Sequence, residues 1–512
     1  MEKPARPPNI LLITSDQHRG DCYGFEGRRV RTPHLDAMAS SGTRFSACIT
    51  PNVVCQPSRA SILTGLLPLT HGVSDNGIDL PAAIAERGFA HALASNGVAT
   101  GFIGKAHFST FQTFQPTGTP ECRYSSADYG ADWFGPYMGF QHVELMLEGH
   151  NNFPPMPPPR GQHYEHWFHA DGQGDARIAL YRSALPPFSD AHSTWNSALP
   201  VAWHNSTWIG NQTIEYLRNH RDQPFCLWAS FPDPHQPFDA PAPWCYLHHP
   251  DEVDLPRHRT RDLDRRPWWH RASLEGVPQL ADEGLRQIRE KVSRTPVQTD
   301  AQLRALIANY YGMISLVDHQ VGRIKIALAE LGLADNTLVI FTSDHGEWLG
   351  DHGLLIKGPM PYEGLLRVGM LFEGPGVPRG TCIEDPVSTL DLAETISEYV
   401  GIALPERTHG QSLRGLIEGR GPGREFARSE WHLRPSRSGV ELQLETVRTR
   451  RYKLTLEQIS GAGELYDLQE DPDEMCNCFE DPAYGSVRRE LTEMIASRPA
   501  DRSDTLAQVG MA

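Results

Sequence analysis

The chain has 512 residues, 39% of them hydrophobic and 21% charged, which is a globular rather than a disordered composition. That length suits a large core plus a second, smaller domain, since single cores stop growing near ~250–300 residues. A formal net charge of −16 excludes a general nucleic-acid binder, which needs a basic face, yet it leaves room for a locally positive pocket that takes a small anion.

The first apolar run, Ile10–Ile13, is too short for a secretory leader, and nothing reaches the ~20 apolar residues of a membrane span. With nine scattered cysteines, an odd number that fits free thiols, the expectation is a cytoplasmic protein with no membrane partner. Cys476 and Cys478 form a lone C-x-C with no assigned role.

Asn9–Asp16 reads as a buried strand with Asp16 at its carboxyl end. Thr32-Pro33 opens a helix with Leu35, Met38 and Ala39 on its apolar side and Gly42 as the stop. Pro57 precedes a second helical stretch, Ser58–Thr64, closed by Gly65. Val98–Ile103 is another strand, followed by Gly104-Lys105-Ala106-His107. From about 115 to 204 the chain is rich in Pro, Gly, His and aromatics and shows no periodicity. Pro224–Ser230 is a third strand, followed by Pro232-Asp233-Pro234-His235. The stretch 237–300 is again irregular; loops this long shape a pocket or an interface. An amphipathic helix covers Ala301–Gly332 and feeds a fourth strand, Thr337–Thr342, then Ser343-Asp344-His345-Gly346. Past Leu404 the character changes: Val447–Thr455 alternates as a strand, and Glu464–Glu474 reads as a strand and turn.

These elements predict an α/β fold with a mainly parallel central sheet flanked by helices over residues 1–403, and a smaller C-terminal α+β domain over 404–512. Ligands in such sheets bind beyond the carboxyl ends of the strands. Four runs end there in ionisable residues: Asp16, Lys105 with His107, His235, and Asp344 with His345.

Cys55-Gln56-Pro57-Ser58-Arg59 is followed by Leu63-Thr64-Gly65. The cysteine lies just before a helix N-terminus, where free N–H groups and the macrodipole favour an anion, and Arg59 can turn back towards it. The C-x-P-S-R core and the L-T-G resemble those of the type I, formylglycine-dependent sulfatases of the alkaline phosphatase superfamily. The resemblance implies that a maturation enzyme oxidises Cys55 to formylglycine, whose hydrated geminal diol attacks sulfur. Leu66 departs from the family, where arginine is common after L-T-G.

Two carboxylates, an amide oxygen and an imidazole, from Asp16-Gln17 and Asp344-His345, suit one divalent cation, and they match the family's metal position. Ca2+ is the first choice, with Mn2+ and Mg2+ as alternatives. Gln17 and His345 are closer to the choline-sulfatase and phosphonate monoester hydrolase branches than to the commoner Asp and Asn. Gly104-Lys105-Ala106-His107 resembles the family's G-K-x-H, which implies that Lys105 binds sulfate and His107 acts as base at the diol. His235, before Gln236-Pro237-Phe238, and Lys357, in Leu354-Leu355-Ile356-Lys357-Gly358, are implied to flank the leaving oxygen. Asn76 is a further candidate donor.

The reading is a hydrolase of a small aryl, choline or carbohydrate sulfate monoester. Its rivals are a phosphonate monoester or phosphodiester hydrolase on the same scaffold and a non-catalytic binder of sulfated ligands. Oligomeric state, homo-oligomer included, stays open.

Overall fold

The computed structural model describes residues 7–147 and 153–511. The reading of the chain's start therefore falls partly outside it, on residues 1–6, as do residues 148–152 of the irregular 115–204 stretch.

The central sheet contains β1 (Asn9–Ser15), β2 (Thr43–Ile49), β3 (Ala99–Gly104), β4 (His142–Leu145), β5 (Phe225–Phe231), β6 (Thr337–Ser343), β7 (Arg367–Glu373), β8 (Thr381–Ile383) and β9 (Val387–Ser388). Its order is β8-β2-β7-β6-β1-β5-β3-β4, with β9 also paired to β2. Of these strands only β7 runs antiparallel to its neighbours, β2 and β6. The other pairings are parallel, so the sheet is mixed. Strands β1, β5 and β6 bury every side chain. Coverage on both faces is why their sequences are continuous apolar runs rather than alternating ones.

On one face Ile10 and Leu12 pack with Ala60, Ile62 and Leu63 of α2 (Cys55–Thr64). On the other, Leu11 and Ile13 pack with Leu35 and Met38 of the helix Pro33–Ser41 (α1). The same face holds Trp208 of α3 (Asn205–Asn219) and Val317, Val321 and Ile324 of α4 (Asp300–Glu330). Thr299 and Gln302 close α4's first turn as a reciprocal capping box. No helix of the described residues is long and apolar enough to cross a membrane.

Helix α2 starts three residues earlier than its proline suggests. Val54 is the extended cap, Cys55 the first helical residue, and Pro57 the third. A proline fits there because first-turn N–H groups have no intrahelical partner. The irregular stretches also hold helices His163–His169, Trp268–Glu275 and Glu283–Ser293; the last, with Leu285, Ile288 and Val292 at helical spacing behind an Asp282 cap, corrects the reading of 237–300 as irregular throughout.

A second sheet, β10 (Phe426–Leu433), β11 (Leu442–Thr449), β12 (Tyr452–Glu457) and β13 (Gly463–Asp467), is an antiparallel meander. The single strand expected over Val447–Thr455 is thus two strands, turning at Arg450-Arg451, where Thr449 Oγ1 accepts from the N–H of Tyr452 at 2.9 Å. Two polar turn residues do not interrupt a period-2 pattern, so the sequence hides the turn. Helix α5 (Gly485–Ala496) packs Leu491, Met494 and Ile495 on Val447, Leu454 and Leu465 of this sheet. The sheet's other side meets the catalytic body through Trp431, Leu444 and Tyr466 against Trp269, Trp348 and Tyr362.

Two contacts carry this small sheet into the larger one. Asn52 Nδ2 donates to the Glu430 carbonyl at 2.7 Å and the Glu430 N–H to the Pro51 carbonyl at 2.9 Å, bracing the loop before Cys55. The tail after α5 then returns along the body, with Ser503 bonded to Leu69, Val509 to Gly77 and Met511 to Gln112 through backbone groups.

Gly104 ends β3 at φ 107°, and a β-carbon there would collide with the Ser230 carbonyl oxygen, which also accepts from the Lys105 N–H at 3.1 Å. Gly104→Ala is expected to destabilise the fold by about 1–3 kcal/mol. The urea midpoint should fall with an unchanged slope; an unaltered midpoint would contradict this strain.

Candidate active site

Strands β6, β1, β5 and β3 are consecutive in the sheet and mutually parallel. Their carboxyl ends therefore form one edge, and Asp344, Asp16, His235 and Lys105 leave it side by side. The loop 50–54 after β2 brings the start of α2 to the same edge.

Cys55 is 1% exposed. Around its sulfur, Lys357 Nζ lies at 3.0 Å, His345 Nε2 at 3.2 Å, Asp16 Oδ1 at 3.6 Å and Lys105 Nζ at 4.0 Å. His107 and His235 also hydrogen-bond with it. Burial pushes the thiol up. The Lys105 and Lys357 charges, His345 and the His107 hydrogen bond outweigh it and hold Cys55 well below the usual thiol range.

Arg59, one turn on, is wholly buried. Its Nε donates to Asp344 Oδ2 at 2.9 Å and one terminal nitrogen to Asp16 Oδ2 at 3.2 Å; the other terminal nitrogen donates to the Lys105 carbonyl at 2.7 Å and Ser230 Oγ at 2.8 Å. It positions both carboxylates. Lys105 Nζ reaches Asp16 Oδ2 at 2.6 Å. Burial and Cys55 push Asp16 up, but Lys105, His235 and Arg59 hold it well below the carboxylate range. Asp344 is pushed up by burial and by the Asp16 charge. A buried Asp344 whose ionisation the Asp16 charge opposes is a setting that a cation relieves.

The ligand atoms of Asp16, Cys55, Asp344 and His345 all lie within 4.8 Å of one another. His345 Nδ1 donates to the Gly346 carbonyl at 2.8 Å, which leaves the Nε2 lone pair facing the group, the arrangement of a metal-ligating histidine. Gln17 sits at φ 63°. Its Nε2 donates to Gln236 Oε1 at 2.8 Å and to Glu347, and its Oε1 accepts from Lys357 Nζ at 3.0 Å. The amide oxygen thereby faces Lys357 Nζ, which itself touches Cys55 and His345, and it is the atom Gln17 would offer as a fourth ligand. A hard, mostly oxygen set with one imidazole fits a single divalent cation.

His235 Nδ1 donates to the Gln236 carbonyl at 2.7 Å, and burial with the Lys357 and Lys105 charges pushes this ring down to about 4. It is neutral near pH 7 and offers Nε2 as acceptor. His107 is pushed down by burial and by Lys105; its Nδ1 is buried and unpartnered among the described residues, which leaves Nε2 to meet Cys55. Asn76 Oδ1 accepts from the Gln56 N–H at 3.0 Å, so Nδ2 is the atom it can offer. It lines the 280 Å³ cavity above Cys55 together with Lys105, His107, His235 and Lys357.

Reading the sequence misses the residues that hold this set in place. Glu347, pushed up to about 7 by burial, anchors Gln17 and accepts from the Leu349 N–H at 3.0 Å. Glu121 accepts the N–H groups of His107, Phe108 and Ser109 and so fixes the turn that carries His107. Glu347 directly follows Asp344-His345-Gly346, a position from which it was readable as a supporting acid; nothing in the sequence marks Glu121.

The family model described as Sulfatase matches residues 8–402, and the one described as N-sulphoglucosamine sulphohydrolase, C-terminal, matches residues 350–501. An arylsulfatase of Clostridium perfringens is 30% identical over 93% of this chain and 91% of its own length. A choline-sulfatase of Rhizobium meliloti is 28% identical over 93% of this chain and 83% of its own. The crystal structure of a phosphonate monoester hydrolase of Agrobacterium radiobacter superposes with a TM-score of 0.76 at 26% identity, covering 96% of this chain and 95% of that one. With the strand-end acids, the C-x-P-S-R helix start and a family match over most of its length, the chain belongs to the type I sulfatases of the alkaline phosphatase superfamily.

Proposed function

We propose that the protein hydrolyses a small sulfate monoester through a formylglycine made from Cys55, with one divalent cation held by Asp16, Gln17, Asp344 and His345. The observation that carries this reading is the convergence of Lys357, His345, Lys105, His107 and His235 on the Cys55 side chain. Relatives named arylsulfatase and choline-sulfatase support the substrate class. The aryl, choline and carbohydrate esters are its candidate members, and a formylglycine-generating maturation enzyme is the implied partner.

The hydrated formylglycine supplies two hydroxyls on one carbon, one to attack sulfur and one to release it. The cation, Ca2+ first, or Mn2+ or Mg2+, supplies charge that favours the ionised hydroxyl. Lys105 and Lys357 place two ammonium groups beside the attacked centre and hold the sulfate oxygens. Lys357, 3.0 Å from the Cys55 sulfur, stands as the charged donor for the leaving oxygen. His235 shares that side and, being neutral, must gain a proton before it can give one. His107 takes the proton of the second hydroxyl at Nε2. Donors placed where charge develops are each worth roughly 10²–10³ in rate.

In active enzyme from its native host the Cys55 peptide should be about 18 Da lighter than the thiol form, whereas the ordinary steps of cysteine oxidation add mass. Hydrolysis of an aryl sulfate should scale with that fraction in the same batch. Activity carried entirely by unmodified Cys55 would overturn the nucleophile assignment.

Asp344→Ala should remove bound metal and activity together, read by elemental analysis and rate; stoichiometric metal in that variant would take Asp344 out of the site. His345→Asn should move preference from Mn2+ towards Ca2+, because it exchanges an imidazole for an amide oxygen.

Phosphonate hydrolysis is the second reading, favoured by the likeness to the Agrobacterium enzyme. A phosphonate monoester carries carbon where sulfate has a charged oxygen, and that position needs neutral neighbours. Lys105→Tyr with His107→Thr should therefore lower kcat/KM for aryl sulfate more than for aryl phosphonate. Equal losses on both would show that these two residues do not discriminate.

A further inference from the structure

The cavity over Cys55 contains a positive group that the reaction at sulfur does not use. Arg289, on the helix Glu283–Ser293, lines it and is 6% exposed. It donates to the backbone carbonyl of Met511 in the returning tail, and its Nε is buried with no partner among the described residues. The nearby Arg437 is different: Asp75 holds it with three contacts of 2.6–2.9 Å. The Asp75 charge favours the ionised Arg289, but its side-chain ion pair is with Arg437. A buried arginine stays charged, and without a counter-ion it is costly. Burial and the Arg437 charge accordingly push Arg289 down to about 9.

The same cavity has a second unmet group, Gln112, which is 4% exposed with Oε1 unpartnered among the described residues. Phe153, Ile288, Val292, Ile356 and Met511 give this cavity an apolar part, beside the polar His192, Ser193 and Lys291.

We propose that the alcohol part of the substrate carries a second oxyanion, carboxylate or sulfate, on an apolar body, and that Arg289 binds this group. The guanidinium fork matches either anion. This rests on the sulfate-ester reading and adds its substrate class: esters that stay anionic after sulfate leaves. Arg289 is a specificity residue, away from the reacting atoms.

The test uses the full chain with Cys55 converted. Substrates are 3- and 4-carboxyphenyl sulfate, 4-sulfophenyl sulfate and, as the ester with a neutral aryl part, the methyl ester of 4-carboxyphenyl sulfate. Arg289→Gln should lower kcat/KM for at least one anionic ester roughly 10- to 100-fold, mainly through KM, and leave the neutral ester within about threefold. Arg289→Lys should recover part of the loss. The carboxylate and sulfonate arms report which anion the site prefers. Equal losses on anionic and neutral esters would overturn the proposal.

A second measurement needs no turnover. Removing an uncompensated buried charge should hold or raise Tm in Arg289→Met, and 4-sulfobenzoate should raise Tm of the wild type but not of that variant. A fall in Tm for Arg289→Met with no protection of the wild type would mark Arg289 as structural. If no sulfate ester is cleaved but 4-sulfobenzoate still protects through Arg289, the sulfatase reading fails and the anion site stands.

Discussion

The site depends on one buried guanidinium. Arg59 bonds Asp16 and Asp344 at once, and these acids come from opposite ends of the catalytic body in sequence. Adjacent parallel strands bring them together; the arginine on α2 sets their spacing and ties them to the helix that carries Cys55. Two carboxylates buried side by side repel, and losing the guanidinium between them would leave an uncompensated charge, a defect worth about 3–5 kcal/mol. Cys55, the candidate metal ligands and the sheet edge are for that reason one unit.

The small C-terminal sheet belongs to this unit. Its Glu430 backbone braces the loop before Cys55, and the Glu430 side chain is held by Arg498 at 2.7 Å and accepts from the Leu69 N–H at 2.7 Å. The tail that follows lays Met511 against the cavity wall. Chemistry is thus supplied by the large sheet, while the small sheet and tail shape what enters. The net charge is acidic, yet Lys105, Lys357 and Arg289 all face one cavity, which is how an anionic protein receives an anionic substrate.

Much of this is legible in the sequence. Continuous apolar runs mark β1, β3, β5 and β6 because both faces of a parallel sheet are buried, and each run ends in the ionisable residue that the structure places at the edge. The spacing of Cys55 and Arg59 is one helical turn, so their association is readable too. Other features leave no local trace. The start of α2 reads late because Pro57 is read as preceding the helix, whereas the first turn tolerates it at the third residue. The turn at Arg450-Arg451 is hidden because both strands share the same alternation. Glu121 and Arg289 face partners that meet them only when distant segments come together, and no local pattern records that, even though Arg289 sits on an amphipathic helix.

The central claim is that this set of charges is built for sulfate. Its most direct test is kcat/KM of the wild-type protein, with Cys55 shown to be converted, on matched aryl sulfate and aryl phosphonate monoesters. The account predicts that the sulfate is the better substrate. A protein so converted that cleaves phosphonate monoesters better than every sulfate ester tried would contradict it.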